Sequence, residues 1–297
     1  MDLQAITQML TSRNIKVLHL EPTDVCQAEC PLCARETDVD FDKRSRHQLS
    51  VEMLEHLLPE GFVVNLDKMF MCGNYGDPAA GNHTIAIYEW FRSQNSNITL
   101  GMNTNGGIGT TFWWHSLGKI FNQPGDYVVF SIDGLEDTNG DYRVNVNWNK
   151  VMQNAEAFIA AGGSAHWDML VYQHNEHQLD ACEQLARNMG FKWFRAKVSK
   201  RPLVNRLEYP VRWQMPQQQA KKISCHALNE QSVYIDAQGR VSPCCWLGSR
   251  QRDFITDFEE VKSSWNSLNP NIVCLDTCGT EDSDTNFDLQ WRRENAL

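Results

Sequence analysis

Cys26, Cys30 and Cys33 stand at the spacing C-x3-C-x2-C, directly after the apolar run Lys16-Val17-Leu18-His19-Leu20, which reads as a strand. Three thiolates in one tight loop can hold three irons of a cubane cluster and leave the fourth iron open. An open iron can bind a small molecule through an amino and a carboxylate group. That arrangement suits catalysis rather than a closed structural site. Two plainer readings are a zinc site and unrelated core cysteines. Structural zinc takes four ligands, and the nearest further candidate downstream is His47.

A second set follows late in the chain: Cys225, Cys244, Cys245, Cys274 and Cys278. Residues 233–241 between the first two read as two short strands around a turn. Such a hairpin brings Cys225 and Cys244 towards one another, and Cys274 and Cys278 approach from a later turn. Four thiolates suit an iron–sulfur cluster, and zinc held by four cysteines is the structural alternative. Five cysteines compete for four positions. Cys245 is a spare ligand, a core residue or a proton or hydrogen donor. Cys182, on an apolar helix face, reads as packing, and Cys72 reads as core.

The elements that must position these residues alternate. Strands are expected at 17–20, 68–72, 98–102, 127–132, 167–172 and 192–198. Between them lie amphipathic helices. Val151, Ala155, Phe158 and Ile159 share one face, closed by Gly162 and Gly163. Leu179, Cys182, Leu185, Ala186 and Met189 share another, closed by Gly190. Strand–helix alternation implies a parallel sheet with right-handed crossovers. Six units predict an α/β fold: a partial (β/α)6 TIM-like barrel, followed by a small cysteine-rich module. In such barrels the chemistry sits on loops after the strands' C-terminal ends. The expected organisation is an N-terminal helix at 1–15, the barrel at 16–205, a connector at 206–224 and the module with its tail at 225–297. The connector carries Pro210 and Pro216 beside Gln217-Gln218-Gln219.

At 297 residues, 42% of them hydrophobic, the chain is long enough for one large domain and a small one. No stretch reaches the apolar length needed to cross a bilayer, and the N-terminus lacks a signal peptide's basic start and apolar centre. A cytoplasmic location is therefore expected. Ten cysteines in a reducing compartment point to metal ligands or core residues rather than disulfides. The net charge of -10 argues against a nucleic-acid partner.

With their companions, the first cysteines resemble the radical S-adenosylmethionine enzymes, over residues 16 to about 200. The second strand ends in Gly73-Asn74-Tyr75-Gly76-Asp77-Pro78, similar to the family's glycine-rich turn, which usually ends Gly-Glu-Pro. The third ends in Asn103-Thr104-Asn105-Gly106, similar to Thr-Asn-Gly. The fourth ends in Ser131-Ile132-Asp133-Gly134, similar to Ser-hydrophobic-Asp-Gly. The resemblance implies a [4Fe-4S] cluster with an open iron on Cys26, Cys30 and Cys33, and S-adenosylmethionine bound to it. The turn from Gly73 to Asp77 would meet the cofactor's ammonium through its backbone. Asn105, Ser131 and Asp133 would lie near its polar groups, and Arg143 would grip its carboxylate. Leu32 takes the place of an aromatic residue that packs on the adenine, so it supplies apolar contact without stacking.

The late cysteine spacing resembles the auxiliary-cluster module called twitch, whose longer relative is SPASM. It implies an auxiliary [4Fe-4S] cluster on Cys225, Cys244, Cys274 and Cys278. Cys244 follows Pro243 as the ligand does in the family, which favours it over Cys245. The resemblance further implies reductive cleavage of S-adenosylmethionine to a 5′-deoxyadenosyl radical, which takes hydrogen from a peptide or amino-acid side chain. An external electron donor such as a flavodoxin or ferredoxin would feed the clusters. The alternatives are a dehydrogenase of a small polyol or other metabolite and a non-catalytic iron–sulfur electron-transfer or sensor protein.

Overall fold

Alternation of side chains decides the sheet. In β1 (Val17–Leu20), β2 (Lys68–Met71), β3 (Thr99–Thr104), β4 (Tyr127–Ser131), β5 (Ala165–Val171) and β6 (Trp193–Val198), alternate residues leave opposite faces. One face carries Leu18, Leu20, Met69, Met71, Leu100, Met102, Val128, Phe130 and Trp167, all fully buried in one core. The other face carries His19, Phe70, Asn103 and Ser131, which are partly exposed. All six strands lie where the apolar runs predict them, give or take one or two residues.

The computed structural model describes residues 13–199, 207–211, 223–250, 258–267 and 269–279, together with Thr7, Leu10, Thr11 and Leu203. Most of the expected N-terminal helix and connector, and the tail beyond residue 279, lie outside the described residues.

Strands β1 to β6 pair in sequence order, each parallel to the next. The helices between them are α1 (Val51–Leu57), α2 (Thr84–Gln94), α3 (Thr111–Ile120), α4 (Trp148–Ala160) and α5 (Leu179–Met189). Three of their starts, those of α1, α3 and α4, are capped by side chains that accept an otherwise orphaned N–H: Ser50 from Met53, Thr110 from Trp113 and Asn147 from Lys150. Gly190 ends α5 in the left-handed region, at φ 85°. The apolar faces behave as their spacing predicts. Val151, Ala155 and Phe158 are buried, Ile159 packs beside them, and Cys182 is fully buried. Trp114, Phe121, Phe130 and Phe158 meet edge to face or tilted beneath α3 and α4.

The late hairpin forms, as β7 (Ser232–Ile235) and β8 (Val241–Ser242), but it does not stand apart from the barrel strands. β7 pairs parallel with β1, Val17 opposite Ser232 and Leu20 opposite Ile235, and β8 returns antiparallel. The sheet thus has eight strands in the order β6-β5-β4-β3-β2-β1-β7-β8. The physical reason is the edge. β1 begins an open sheet and would otherwise present a row of unpaired backbone groups, which β7 covers. After β8 come α6 (Cys245–Arg250), α7 (Phe258–Ser264) and α8 (Ile272–Cys278). Among the described residues, no helix is long and apolar enough to cross a membrane.

Candidate functional site

Parallel strands place all their C-terminal ends on one rim. The loops leaving β1 to β4 there carry residues 26–33, 73–78, 104–106 and 131–134. The three sulfurs of the first cysteine set meet three different residues, Asn105 and Asn74 on these segments and Arg143 further along the chain after β4. Cys26 Sγ accepts from the Asn105 side-chain amide at 3.6 Å and from the Ala28 N–H at 3.4 Å. Cys33 Sγ donates to the Asn74 carbonyl at 3.6 Å. Cys30 Sγ accepts from Arg143 Nη1 at 3.8 Å. Burial pushes the Cys26 thiol up, helped by the Asp77 charge, and pushes Cys30 up against the pull of Arg143. Thiols in such surroundings ionise when a metal supplies the compensating charge, so the donor set fits iron.

Asp77 ties two of these segments together. Its Oδ1 accepts from the Ala79 N–H at 2.9 Å and the Thr104 hydroxyl at 2.7 Å. Its Oδ2 accepts from the Asn105 N–H and side-chain amide, both at 2.7 Å. Asn105 passes the contact on, accepting from Gln27 Nε2 at 2.7 Å. Asp133 is held in the same way. Its Oδ2 accepts from Arg143 Nε at 2.6 Å and its Oδ1 from the Leu170 N–H at 2.5 Å. Burial would lower the Arg143 pKa, but Asp133 and Cys30 outweigh it and hold the guanidinium well above its usual value. Asp77 and Asp133 therefore brace the loops and Arg143.

The glycine turn is as tight as its sequence demands. A Cβ on Gly73 would stand 2.0 Å from the Gly76 carbonyl oxygen, and one on Gly76 would stand 1.9 Å from that of Thr23. The Tyr75 side chain leaves the rim, donating to Asp38 and the Ser249 carbonyl and stacking on Phe41 at 4.3 Å. Leu32 is buried among Ala28, Cys30, Tyr142, Tyr172 and Leu207. Ser131 ends β4 opposite Asp168. His47 bonds to Asp24 at 2.7 Å and to Ser45.

Two features of this rim escape a reading of the sequence. Glu21, just past β1, is buried beneath the glycine turn. Its Oε1 accepts from the Tyr75 and Gly76 N–H groups at 2.7 and 3.0 Å, and its Oε2 accepts from the Tyr234 hydroxyl. Burial raises its pKa to about 7 against the effect of those bonds. The signal available was a lone acid at a strand's end facing two glycines. The second feature is Asp168, held between Arg195 at 2.7 Å and Lys197 at 2.5 Å on β5 and β6. Every other residue on those strands faces the same way, but nothing local marks the three as partners.

The late cysteines gather around a cavity of about 260 Å3. It runs from His19, Phe70, Cys72 and Asn103 on the sheet to Cys225, Cys244, Cys274 and Cys278. The Ser224 N–H donates to the Cys278 carbonyl at 2.9 Å, which joins the two ends of the set. Burial pushes the Cys244 thiol up to about 12, and Cys225 and Cys278 add to the effect. Cys274 is pushed up to about 11 by burial and then by the same two neighbours. Cys245 lines the same cavity. After burial, its thiol feels Cys244, Cys72 and Glu21. Cys72, expected in the core, instead lines the cavity, because it follows the last residue of β2 at the rim. Among the described residues, no three His, Cys, Asp or Glu side chains stand in range of a single ion. A cubane asks for something wider, since each thiolate takes its own iron at a separate corner.

No protein-family model matches the chain, and no curated protein matches it in sequence. Solved structures share its fold. Streptococcus suis SuiB bound to S-adenosylmethionine superposes with a TM-score of 0.56 at 13% identity, over 80% of this chain and 63% of SuiB. SuiB bound to its precursor peptide SuiA gives 0.56 at 12%, over 90% and 65%. Native anSMEcpe with bound AdoMet and the Cp18Cys peptide gives 0.53 at 15%, over 77% and 73%. The chain thus spans a little under two thirds of the length of SuiB. The shared architecture is a mixed α/β fold with a parallel sheet.

Proposed function

We propose that the chain is a radical S-adenosylmethionine enzyme that acts on a peptide or amino-acid side chain. One observation carries this reading. The three thiols of the first cysteine set each meet a different residue: Asn105 and Asn74 from strand-end segments, and Arg143 from the chain beyond β4. A plain electron carrier has no use for a glycine turn, a serine and an arginine around its cysteines.

In this reading Cys26, Cys30 and Cys33 hold a [4Fe-4S] cluster whose open iron receives S-adenosylmethionine. Together they supply reductive cleavage of the cofactor and abstraction of a hydrogen atom from substrate. The chain's own residues do the rest. The Gly73–Asn74–Tyr75–Gly76 backbone approaches the cofactor where no Cβ fits. Arg143, fixed by Asp133, offers its remaining donors to a carboxylate. Ser131 lies at the end of β4. Leu32 gives an apolar contact, and Asp77 and Asn105 keep the loops in register. Cys225, Cys244, Cys274 and Cys278 form the auxiliary-cluster site of a twitch-like module. An external flavodoxin or ferredoxin delivers electrons, and the protein works in the cytoplasm.

A peptide substrate is supported by the complexes of SuiB with SuiA and of anSMEcpe with peptide, both of which share the fold. The test is anaerobic reconstitution followed by dithionite and S-adenosylmethionine. The reading expects about eight irons per chain and release of 5′-deoxyadenosine. Absence of that product with and without candidate peptides would remove the enzyme reading.

A further inference from the structure

Strands β2 to β6 carry four charged side chains, and three of them are cations: Lys68, Arg195 and Lys197 against Asp168. In a chain of net charge -10 this wall has the opposite sign. All four leave the sheet on the face away from the apolar core, because Met69, Trp167, Met169 and Phe194 fill the core from the positions beside them. Ser131, Asp168 and Arg195 stand in register across β4, β5 and β6, and Lys197 stands opposite Leu170, nearer the rim. The Leu170 N–H is the one that holds Asp133, the brace of Arg143. The charges thus adjoin the place given to the cofactor. Asp168 Oδ1 accepts from Arg195 Nε at 2.7 Å, and its Oδ2 from Lys197 Nζ at 2.5 Å. Burial would raise its pKa, but Lys197 and Arg195 outweigh it and hold the carboxyl well below its usual range. His166 on the same face is pushed down to about 3 by burial and then by Lys192 and Arg195, so it adds no charge. Asp168 and Arg195 alone would make a neutral buried pair. Lys197 brings a second cation, which holding β5 to β6 does not require. Its side chain is 42% exposed, against 8% for Asp168. An ammonium has three N–H donors. Asp168 takes one, and the others serve a group arriving from the open side.

We propose that Lys197 binds the side-chain carboxylate of an aspartate or glutamate residue in the peptide substrate. The proposal rests on the radical S-adenosylmethionine reading and names the substrate class that the site selects. A carboxylate on Lys197 balances the second cation and makes charge-assisted hydrogen bonds, which are about twice as strong as neutral ones. An acidic side chain can reach this wall from a peptide lying across the rim. A neutral polyol brings no charge to answer the ammonium. The cofactor's own carboxylate is the competing source of the same chemistry. In the proposed reading that group is met by Arg143, on the other side of Asp133 from Leu170.

The test uses the full chain, reconstituted anaerobically with S-adenosylmethionine. The probes are N-acetyl-glutamate amide and its neutral counterpart N-acetyl-glutamine amide, titrated by saturation-transfer NMR. The natural chain is expected to bind the glutamate probe about tenfold or more tightly than the glutamine probe. Lys197→Gln, which leaves Asp168 paired with Arg195, should bind both alike. Lys197→Arg, which keeps the charge, should retain most of the preference. Cofactor affinity, measured by anaerobic calorimetry, should agree within about twofold among the three chains. Equal binding of the two probes by the natural chain, no binding of the glutamate probe, or a preference that survives Lys197→Gln would overturn the proposal. A loss of about tenfold in cofactor affinity with Lys197→Gln would overturn it too, since Lys197 would then hold the cofactor's carboxylate. Should Lys197→Gln fail to fold, Lys197→Met takes its place. Failure of both would show that the ammonium holds the sheet, and would also overturn the proposal. Release of 5′-deoxyadenosine by the natural chain is measured in parallel. Its absence counts against the enzyme reading, whereas its presence with equal probe binding counts against Lys197 alone.

Discussion

Asp77 Oδ2 accepts two hydrogen bonds from Asn105, one from its backbone and one from its side chain, each at 2.7 Å. The same carboxylate also holds Thr104 and Ala79, so one buried side chain fixes the turn after β2 to the corner of β3. Asp77→Ala orphans four donors at once, and each buried orphan costs about 1–3 kcal/mol. A loss of roughly 3 kcal/mol or more is expected in anaerobic urea denaturation. Asp77→Asn should also destabilise, since its NH2 group would face the donors of Asn105. A neutral result for both variants would mean that the two loops are held by something else.

Gly76 is expected to separate cofactor binding from cluster assembly. A Cβ there meets the Thr23 carbonyl oxygen at 1.9 Å, so Gly76→Ala must move the turn. S-adenosylmethionine affinity, measured by anaerobic calorimetry, should fall by at least about tenfold. The iron bound by Cys26, Cys30 and Cys33 should stay. Unchanged affinity would show that the turn does not contact the cofactor.

Glu21 gives a pH dependence of known sign. Its folded pKa is raised by burial from an ordinary 4.5 to about 7. A carboxyl group with a raised folded pKa contributes stability that is fully present below about pH 4.5 and lost as pH rises through about 7. The full chain should therefore lose stability between pH 5 and pH 8, on the order of 3 kcal/mol from this group. Glu21→Gln keeps an acceptor for Tyr75 and Gly76 and should flatten the slope. Chemical denaturation at both pH values decides it, and identical slopes in the two chains would rule out Glu21 as the source.

The grouping of Cys244 with Cys225, Cys274 and Cys278 makes the iron count a direct check. Cys244→Ala should lose about four of about eight irons, whereas Cys245→Ala should keep them. The reverse pattern would assign the ligand to Cys245. Four irons together with tightly bound zinc in the natural chain would replace the auxiliary cluster by a zinc site.

Much of this molecule is legible where the information is local. The six strands follow from short apolar runs, and the α4 and α5 faces follow from a 3.6-residue period around Val151 and Cys182. The cysteines declare themselves by spacing. What the sequence hides depends on distance along the chain. Glu21 meets Tyr234, and Val17 pairs with Ser232, across more than two hundred residues, with no periodicity linking them. Asp168, Arg195 and Lys197 look like ordinary charges until β5 and β6 lie side by side. Cys72 is read as core because its neighbours in the chain are apolar, yet it stands one residue past the strand, where the sheet opens into the cavity. Asp133 is expected near the cofactor from its motif alone, and that its oxygens also accept from Arg143 and Leu170 shows only once the strands lie side by side.

The pairing of β7 with β1 bears on how the chain is made. β1 leaves the ribosome early, and its partner strand β7 is more than two hundred residues behind it. Until then one side of β1 is bare, and Glu21 lacks Tyr234. A contact between such distant segments is slow to form, and an uncovered strand edge invites pairing with other chains. A chain cut after β6 would keep all three cysteines of the first set and all the strands that carry their companions. It would nonetheless expose the β1 edge and be prone to aggregate. The late hairpin is thus a chaperone-like cover for the first strand, built into the same polypeptide.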